Sequence, residues 1–263
     1  MVARHRAVSP APAASERDER NPSRLCLALC SATRMASVAL FKDDVLVVEH
    51  TADTDRQQAE SLLPLIDRVL HDGEIRIEDL AAIGLSIGPG SFTSLRIGVA
   101  TVKGLVFGTR IEIVPVSTLQ ALAEASAGVG EPGTPIVGSL NAQRGEVYAA
   151  CFSGADRDIA ALEDVLPELV YSADELAERL PAGCRVVGDG ALVVSERLRE
   201  LRGDEVVCCL TAGLEPRASS IGRLAVVQLA AGRSVSAGSL APRYVRRAEA
   251  EVTRTSLRFE SRA

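Results

Sequence analysis

Residues 84–108, GLSIGPGSFTSLRIGVATVKGLVFG, constrain the fold more than any other stretch of this chain. The apolar run over 80–87 predicts a buried strand, and the glycine-proline-glycine turn at 88–90 ends it. A hydroxyl at Ser91 or Thr93 offers an N-cap immediately after the turn. The stretch therefore predicts a strand, a turn lined by backbone and a helix.

The predicted helix has two faces of different character. One is a core-facing stripe of apolar residues at helical spacing: Leu95, Val99, Val102 and Val106. The other face carries small residues: Ser94, Gly98, Thr101 and Gly108. Because a glycine inside a helix costs about 1 kcal/mol relative to alanine, we expect this small face to allow the close approach of a second helix.

The run GPGSFTSLRIGVATVKGL resembles the signature of the TsaB (YeaZ) family of tRNA threonylcarbamoyladenosine biosynthesis proteins. That family typically has GPGSFTGLRIG, so Ser94 replaces a family glycine. The resemblance covers most of residues 24–247, through segments such as QAESLLPLIDRVL, IVPVSTLQALAEA, VVGDGA and LAPRYVRR. It implies an α/β chain with the actin-like ATPase fold, in which two tandem ribonuclease H-like subdomains have mixed sheets flanked by helices.

The order of the patterns along the chain agrees with a duplicated fold. Strand patterns at 24–29, 36–41 and 45–50, separated by tight turns, predict an antiparallel meander. A strand, a glycine turn and a helix follow at 80–108 and recur at 185–201. We assign residues 24–132 to the first subdomain, completed by a helix at 219–232, residues 133–218 to the second, and residues 233–263 to a C-terminal segment.

Residues 1–23 are rich in proline, alanine, serine and charge and show no periodicity. Such a composition predicts a disordered tail. A transit peptide is an alternative that Glu16, Asp18 and Glu19 oppose, because transit peptides are poor in acids. A start site assigned too far upstream is a further alternative.

Three residues depart from the family pattern in places that bear on chemistry. Cys30 stands where the family has an aspartate, and in the related ATPases that acid helps to handle metal and phosphate. A thiol is not the hard oxygen ligand that magnesium requires. Asn141 also replaces an aspartate, and Gln58 replaces a histidine. The backbone N–H groups of 88–91 could still bind an anion, with inherited strand-to-helix geometry as the alternative reading, and we expect any phosphate site to be weakened or absent.

The remaining motifs do not complete a catalytic or metal site. Residues 84–88, GLSIG, match the G-x-S-x-G nucleophile elbow, but that mechanism needs a histidine after Ser86 and all three histidines precede it. Residues 128–133, GVGEPG, match GxGxxG without the flanking strand and helix, so they predict a loop. The sequence contains no HxxxH, Cys–His cluster, DxDxDG loop or Walker A motif. We therefore predict no catalytic, cofactor-binding or metal-binding residue.

Charge and cysteine content bear on compartment and partners. The net charge of −6 argues against a broad nucleic-acid-binding surface, so contact with tRNA is expected to be indirect. No apolar run reaches the roughly 18 residues that a membrane span needs. The six cysteines show no CxxC spacing and predict buried free thiols in a reducing compartment. These features indicate a cytoplasmic protein.

The resemblance implies a non-catalytic subunit rather than an enzyme. Such a subunit binds and activates TsaD, the transferase that modifies the tRNA adenosine next to the anticodon, and the TsaE ATPase is a third component. The same helices offer homodimerisation as an alternative resting form. The alternative function is a stand-alone ATP-dependent transferase or a glycoprotease-like peptidase. On the family pattern we expect the partner-binding residues to be Leu62, Leu65, Ser94, Leu95, Arg96, Gly98 and Val99.

Overall fold

The computed structural model describes residues 24–53, 58–127, 133–152, 165–210 and 215–246. The expected tail over 1–23, most of the GVGEPG loop and the chain beyond 246 lie outside the described residues.

The first half of the chain forms one five-stranded mixed sheet. Its strands are β1 (Leu25–Cys30), β2 (Met35–Lys42), β3 (Val45–Asp53), β4 (Ala82–Gly88) and β5 (Glu112–Ser117). The order across the sheet is β3-β2-β1-β4-β5. Strands β1, β2 and β3 pair antiparallel, as the meander prediction required, whereas β4 runs parallel to both β1 and β5.

The second half repeats this arrangement. Its strands are β6 (Ile136–Asn141), β7 (Val147–Phe152), β8 (Leu169–Tyr171), β9 (Cys184–Val187) and β10 (Val206–Cys208), in the order β10-β9-β6-β7-β8. As in the first half, the first strand pairs antiparallel with the second and parallel with the fourth. The predicted α/β fold of two tandem ribonuclease H-like halves is therefore confirmed.

Strand β8 is shorter than its sequence pattern indicates. The run at 165–170 predicts a strand over its whole length, but β8 begins only at Leu169. Pro167 has no N–H to donate to a neighbouring strand, and Leu166 is instead buried, with its carbonyl accepting the Cys151 N–H at 3.2 Å.

Helices cover the sheets in the part of the chain that the structure describes. They are α1 (Gln58–Asp72), α2 (Phe92–Leu105), α3 (Thr118–Ala125), α4 (Ala173–Arg179), α5 (Gly190–Arg202) and α6 (Ala218–Ala230), with short 3-10 turns at Ile77–Asp79 and Gly203–Glu205. Helix α1 runs through Pro64, and the hydroxyl of Ser172 caps α4 by accepting the Glu175 N–H at 3.2 Å. None of these helices has the length and apolar composition needed to cross a membrane.

Apart from its edge strand β3, the first sheet is covered on both faces. Helices α1 and α2 cover one face, where Leu62 and Val102 pack with Leu29 and Leu85. Helix α6 covers the other face, and its close approach depends on glycine: a Cβ at Gly84 of β4 would lie 2.6 Å from the Cβ of Ala225. Helices α1 and α2 therefore share one side of the molecule, opposite α6.

Candidate functional site

The residues expected to bind a partner lie on α1 and α2, but most of their side chains point inward. Leu62 and Leu95 are each 1% exposed, and Leu65 and Val99 are also buried in the core beneath the helices. The stripe of Leu95, Val99 and its helical repeats thus faces the core, as predicted. Of the seven expected residues, Arg96 alone is exposed.

The small face of α2 packs against the chain itself. We expected Ser94 and Gly98 to admit a second helix, but both are buried against the turn that follows β1. A Cβ on Gly98 would lie 2.5 Å from the Ser31 Oγ, and that same hydroxyl donates to the Ser94 carbonyl at 3.2 Å. The expected helix contact is therefore replaced by Ser31, because the turn after β1 already fills the space above the glycine.

The start of α2 also differs in detail from expectation. Ser91 is the N-cap residue, but its side chain does not accept a backbone N–H. It accepts instead a hydrogen bond from the Ser94 hydroxyl at 2.9 Å. Ser94, which replaces the family glycine, therefore forms a hydrogen bond to the N-cap residue that a glycine could not form.

Side chains that α1 and α2 do expose are partly apolar. Leu63 on α1 is 49% exposed, and Phe107, two residues beyond the end of α2, is 86% exposed. Together with Arg96 we call these residues the helical surface. Exposed apolar side chains on or beside two helices that pack against each other are candidate contacts for a partner.

The C-terminal segment crosses this side of the molecule. We call residues 240–246 the strap. Its Tyr244 ring stacks on Phe92 with the ring centres 4.7 Å apart, and its hydroxyl accepts a hydrogen bond from the Arg96 Nε at 2.8 Å. The Arg96 guanidinium lies over the Phe92 ring at 3.8 Å. The sequence analysis missed Phe92 and Tyr244; the LAPRYVRR resemblance was the one signal for Tyr244, and no pattern indicated that it meets α2.

The strap also fills the first glycine turn. Gly88 has φ of +124°, and a Cβ there would lie 2.6 Å from the carbonyl oxygen of Arg243. The Arg243 N–H donates to the Ile87 carbonyl at 2.7 Å, and the Ser91 N–H donates to the Ala32 carbonyl at 2.7 Å. The Ser91 N–H, one of the donors that an anion at this turn would need, is thus already bonded within the chain.

The second glycine turn holds a carboxylate of its own. Asp189 lies between Gly188 and Gly190, and its Oδ1 accepts the Asn141 N–H at 2.9 Å. Burial raises the pKa of Asp189, while hydrogen bonds from the backbone of Asn141 and Gly190 oppose the shift. Because an anionic side chain occupies this turn, a phosphate would meet like charge as well as occupied donors.

Cys30 and Ser86, near the ends of β1 and β4, are both inaccessible to solvent. Cys30 is fully buried, and burial raises the pKa of its thiol to about 11. Ser86 of the G-x-S-x-G match is also fully buried within β4, where its Oγ accepts the Ser31 N–H at 3.3 Å. A nucleophile elbow exposes its serine at a sharp turn, so Ser86 does not have that geometry. The described residues contain no group of three or more His, Cys, Asp or Glu side chains able to hold a metal.

Comparison with known proteins decides the family. Over 228 residues the chain is 30% identical to the tRNA threonylcarbamoyladenosine biosynthesis protein TsaB of Escherichia coli, covering 84% of this chain and 94% of that protein. The chain belongs to the TsaB family. Proteins of that family are involved in tRNA threonylcarbamoyladenosine biosynthesis.

Further TsaB relatives and solved structures agree. The TsaB of Bacillus subtilis is 27% identical over 228 residues, covering 86% of this chain and 95% of the relative. The crystal structure of YeaZ from Pseudomonas aeruginosa superposes with a TM-score of 0.71 at 26% identity, covering 84% of this chain and 99% of that one. A second structure, of an uncharacterised protein with similarity to peptidase YeaZ from the same organism, gives a TM-score of 0.74 at 27% identity over 85% of this chain and all of that chain.

A family model matches residues 49–185 and is described as TsaD, the tRNA N6-adenosine threonylcarbamoyltransferase. The matched stretch begins in β3, runs through α2 and its glycine turn, and ends at the start of β9. This TsaB family member therefore shares with the transferases the region that contains the first turn, which Arg243 fills here.

Proposed function

We propose that this chain is a non-catalytic subunit of the tRNA threonylcarbamoyladenosine modification machinery. It binds and activates the TsaD transferase through the helical surface, and the TsaE ATPase joins as a third component. It meets tRNA only through its partners. Homodimerisation through the same helices is the resting form that this surface would allow.

The observation that carries the proposal is the filling of both glycine turns by the chain's own atoms. In the first turn, the Arg243 carbonyl oxygen lies 2.6 Å from where a Cβ on Gly88 would be, and the Ser91 N–H is bonded to the Ala32 carbonyl. In the second, the Asp189 carboxylate accepts the Asn141 N–H. Since phosphate binding at a helix N-terminus depends on free backbone N–H groups, this arrangement favours a structural role over nucleotide chemistry.

Two acids, Asp189 of the second turn and Glu215, also oppose the binding of a phosphate. Burial raises the pKa of Glu215, and the charge of Asp189 raises it further. The Thr33 hydroxyl donates to the Glu215 Oε2 at 2.6 Å. Two carboxylates that already disfavour each other make a poor environment for a triphosphate. Cys30, at the position of the family aspartate, supplies no oxygen ligand for a magnesium ion that would neutralise them.

The helical surface supports partner binding. Leu63 and Phe107 are exposed on or beside helices whose other large apolar side chains, in the described residues, are buried or partly buried. Interfaces are typically apolar at the centre and contain arginine and aromatic side chains, and Arg96 with Phe92 and Tyr244 meets that description. The opposite side of the first sheet, at α6, shows one large exposed apolar residue in the described chain, Val227 at 44%.

Co-purification of this chain with the TsaD of its own organism tests the proposal, followed by a tRNA modification assay with each protein omitted in turn. We expect the pair to co-elute and the modification to require both. Leu63→Glu should abolish co-elution, whereas Val227→Glu, a matched apolar-to-charge change on α6, should leave it intact. Modification by this chain alone would refute the non-catalytic assignment.

Magnesium-dependent ATP binding separates the proposal from the alternative of a stand-alone transferase. We expect no binding of labelled ATP by the isolated chain in a filter assay at millimolar nucleotide. Tight binding would favour the enzyme alternative, and hydrolysis of a peptide substrate lost on Ser86→Ala would favour a peptidase.

A further inference from the structure

Arg96 is held in one orientation by two aromatic rings. Its guanidinium lies 3.8 Å from the centre of the Phe92 ring and 5.8 Å from that of Tyr244. Its Nε donates to the Tyr244 hydroxyl at 2.8 Å. A long exposed arginine normally loses rotamer freedom when it binds, so this arrangement meets part of that cost in advance. Within the described residues the two terminal nitrogens of the guanidinium make no hydrogen bond, and Arg96 is exposed.

Tyr244 is in turn held by anchors on both sides of it in the strap. On one side, the Arg243 N–H bonds to the Ile87 carbonyl at 2.7 Å, and the Arg243 Nη1 lies 3.4 Å from the Glu168 Oε2 of the second half. On the other side, the Arg246 Nη1 donates to the Ala142 carbonyl at 2.9 Å. The position of the Tyr244 hydroxyl is thus set by contacts to both halves of the molecule.

The charge of Arg96 is not neutralised within the part of the chain that the structure describes. No carboxylate there lies within 4.0 Å of its guanidinium, whereas Arg243 and Arg246 of the strap each have one. Planar guanidinium groups bind carboxylates in a bidentate manner through two parallel N–H donors. A stacked, exposed arginine whose terminal nitrogens make no hydrogen bond to the described residues is therefore suited to a carboxylate supplied by another molecule.

We propose that Arg96 binds an aspartate or glutamate of the TsaD transferase, with Phe92 and Tyr244 as positioning residues, so that the strap forms part of the docking surface. This inference rests on the proposed function. A protein carboxylate fits better than an RNA phosphate, because the strap arginines Arg243 and Arg246 are already paired with Glu168 and Glu146, and the whole chain has a net charge of −6. A phosphate-binding surface would call for further cations beside Arg96.

Affinity for TsaD, measured by calorimetry on purified full-length proteins, tests the proposal. We expect Arg96→Ala to weaken binding by about tenfold to a hundredfold, the loss typical of a charge-assisted hydrogen bond. Arg96→Lys should not restore it, because a lysine ammonium cannot form the planar bidentate contact. Arg217→Ala, at the start of α6 on the other side of the first sheet, is the matched control and should bind as the parent does.

The positioning role has its own variants. Tyr244→Phe keeps the ring and removes only the hydroxyl that accepts from Arg96, so we expect a loss of a few-fold; Tyr244→Ala should approach the loss in Arg96→Ala. Raising the salt concentration should weaken the parent more than Arg96→Ala or Tyr244→Ala, because the exposed ion pair is absent from the first variant and weakened in the second, where Arg96 is no longer held in place. A merely structural role for Tyr244 would lower affinity with an unchanged salt dependence and would overturn this part.

The outcomes distinguish the two proposals. If Leu63→Glu abolishes binding and Arg96→Ala does not change it, the proposed function stands and this inference fails. If the parent chain does not bind TsaD at all, the proposed function is wrong, and the inference about Arg96 is wrong with it. If Arg96→Ala leaves TsaD affinity unchanged but lowers the affinity of the complex for tRNA, the ligand is a phosphate and the carboxylate assignment is wrong.

Discussion

Gly98 and Ser31 lie in direct contact, so that a Cβ on Gly98 would lie 2.5 Å from the Ser31 Oγ. The two residues belong to α2 and to the turn after β1, and the same serine hydroxyl donates to the Ser94 carbonyl. Gly98 therefore allows α2 to pack closely against the turn after β1 of its own chain.

The contact predicts a non-additive pair of substitutions. Gly98→Ala should lower the free energy of unfolding by about 1–3 kcal/mol, as overpacking does. In a Ser31→Ala background the same change should cost much less, because the clashing oxygen is gone and alanine favours the helix by about 1 kcal/mol. Urea denaturation of the four proteins measures the coupling.

Gly104 on the same helix is the control for that cycle, since a Cβ there meets no atom within 4 Å. Gly104→Ala should be neutral or stabilising. Equal destabilisation by Gly98→Ala with and without Ser31 would show that the contact does not restrict α2.

The ion pair between Arg223 of α6 and Glu124 of α3 predicts a large single-site effect. The Glu124 side chain is 5% exposed, and its Oε2 accepts from the Arg223 Nη2 at 3.0 Å. Arg223→Met should cost about 3 kcal/mol, because it leaves a buried carboxylate without its cation. Adding Glu124→Leu should recover most of the loss in a chemical denaturation measurement. A double variant no more stable than Arg223→Met would contradict this account.

Glu215 predicts a pH dependence of stability. Burial, first among the causes, raises its pKa above the ordinary value of 4.5. The folded chain therefore holds this proton more tightly than the unfolded chain, so Glu215 makes stability fall as pH rises from 4.5 through the raised value. Glu215→Gln should remove that part of the slope and stabilise the protein at neutral pH relative to acid, while Glu178→Gln on the exposed side of α4 should not. Thermal unfolding measured from pH 4 to pH 8 provides the test.

Cysteine reactivity should follow burial. Burial raises the pKa of Cys26 and of Cys30 to about 11, and both thiols are almost or fully inaccessible. Because the thiolate is the reactive form, neither should be alkylated by iodoacetamide at pH 8 in the native protein. Cys209 is partly exposed and should react first. Peptide mass spectrometry before and after denaturation reads out each site, and early modification of Cys30 would mean that the end of β1 opens.

The order of elements and the family could be predicted from the sequence because they depend on local patterns. Apolar periodicity located α2 and its buried stripe of Leu95 and Val99, and the turn residues at 88–90 ended β4 close to where the structure ends it. Alternation and turn spacing were enough for the meander of β1, β2 and β3. Each of these signals lies within about 20 residues, the range over which helix and strand periodicities operate.

The tertiary structure decided which atoms meet across long separations. Ser31 fills the small face of α2 from 63 residues away, as its bond to Ser94 shows, and Tyr244 orients Arg96 from a distance of 148 residues along the chain. The Arg243 carbonyl closes the first glycine turn in the same way. The local sequence pattern around a glycine or an arginine in a helix is the same whether that residue faces solvent, a partner or a distant segment of its own chain. Its neighbours are set by how the two sheets and the strap pack together, and that packing has no local signal in the sequence.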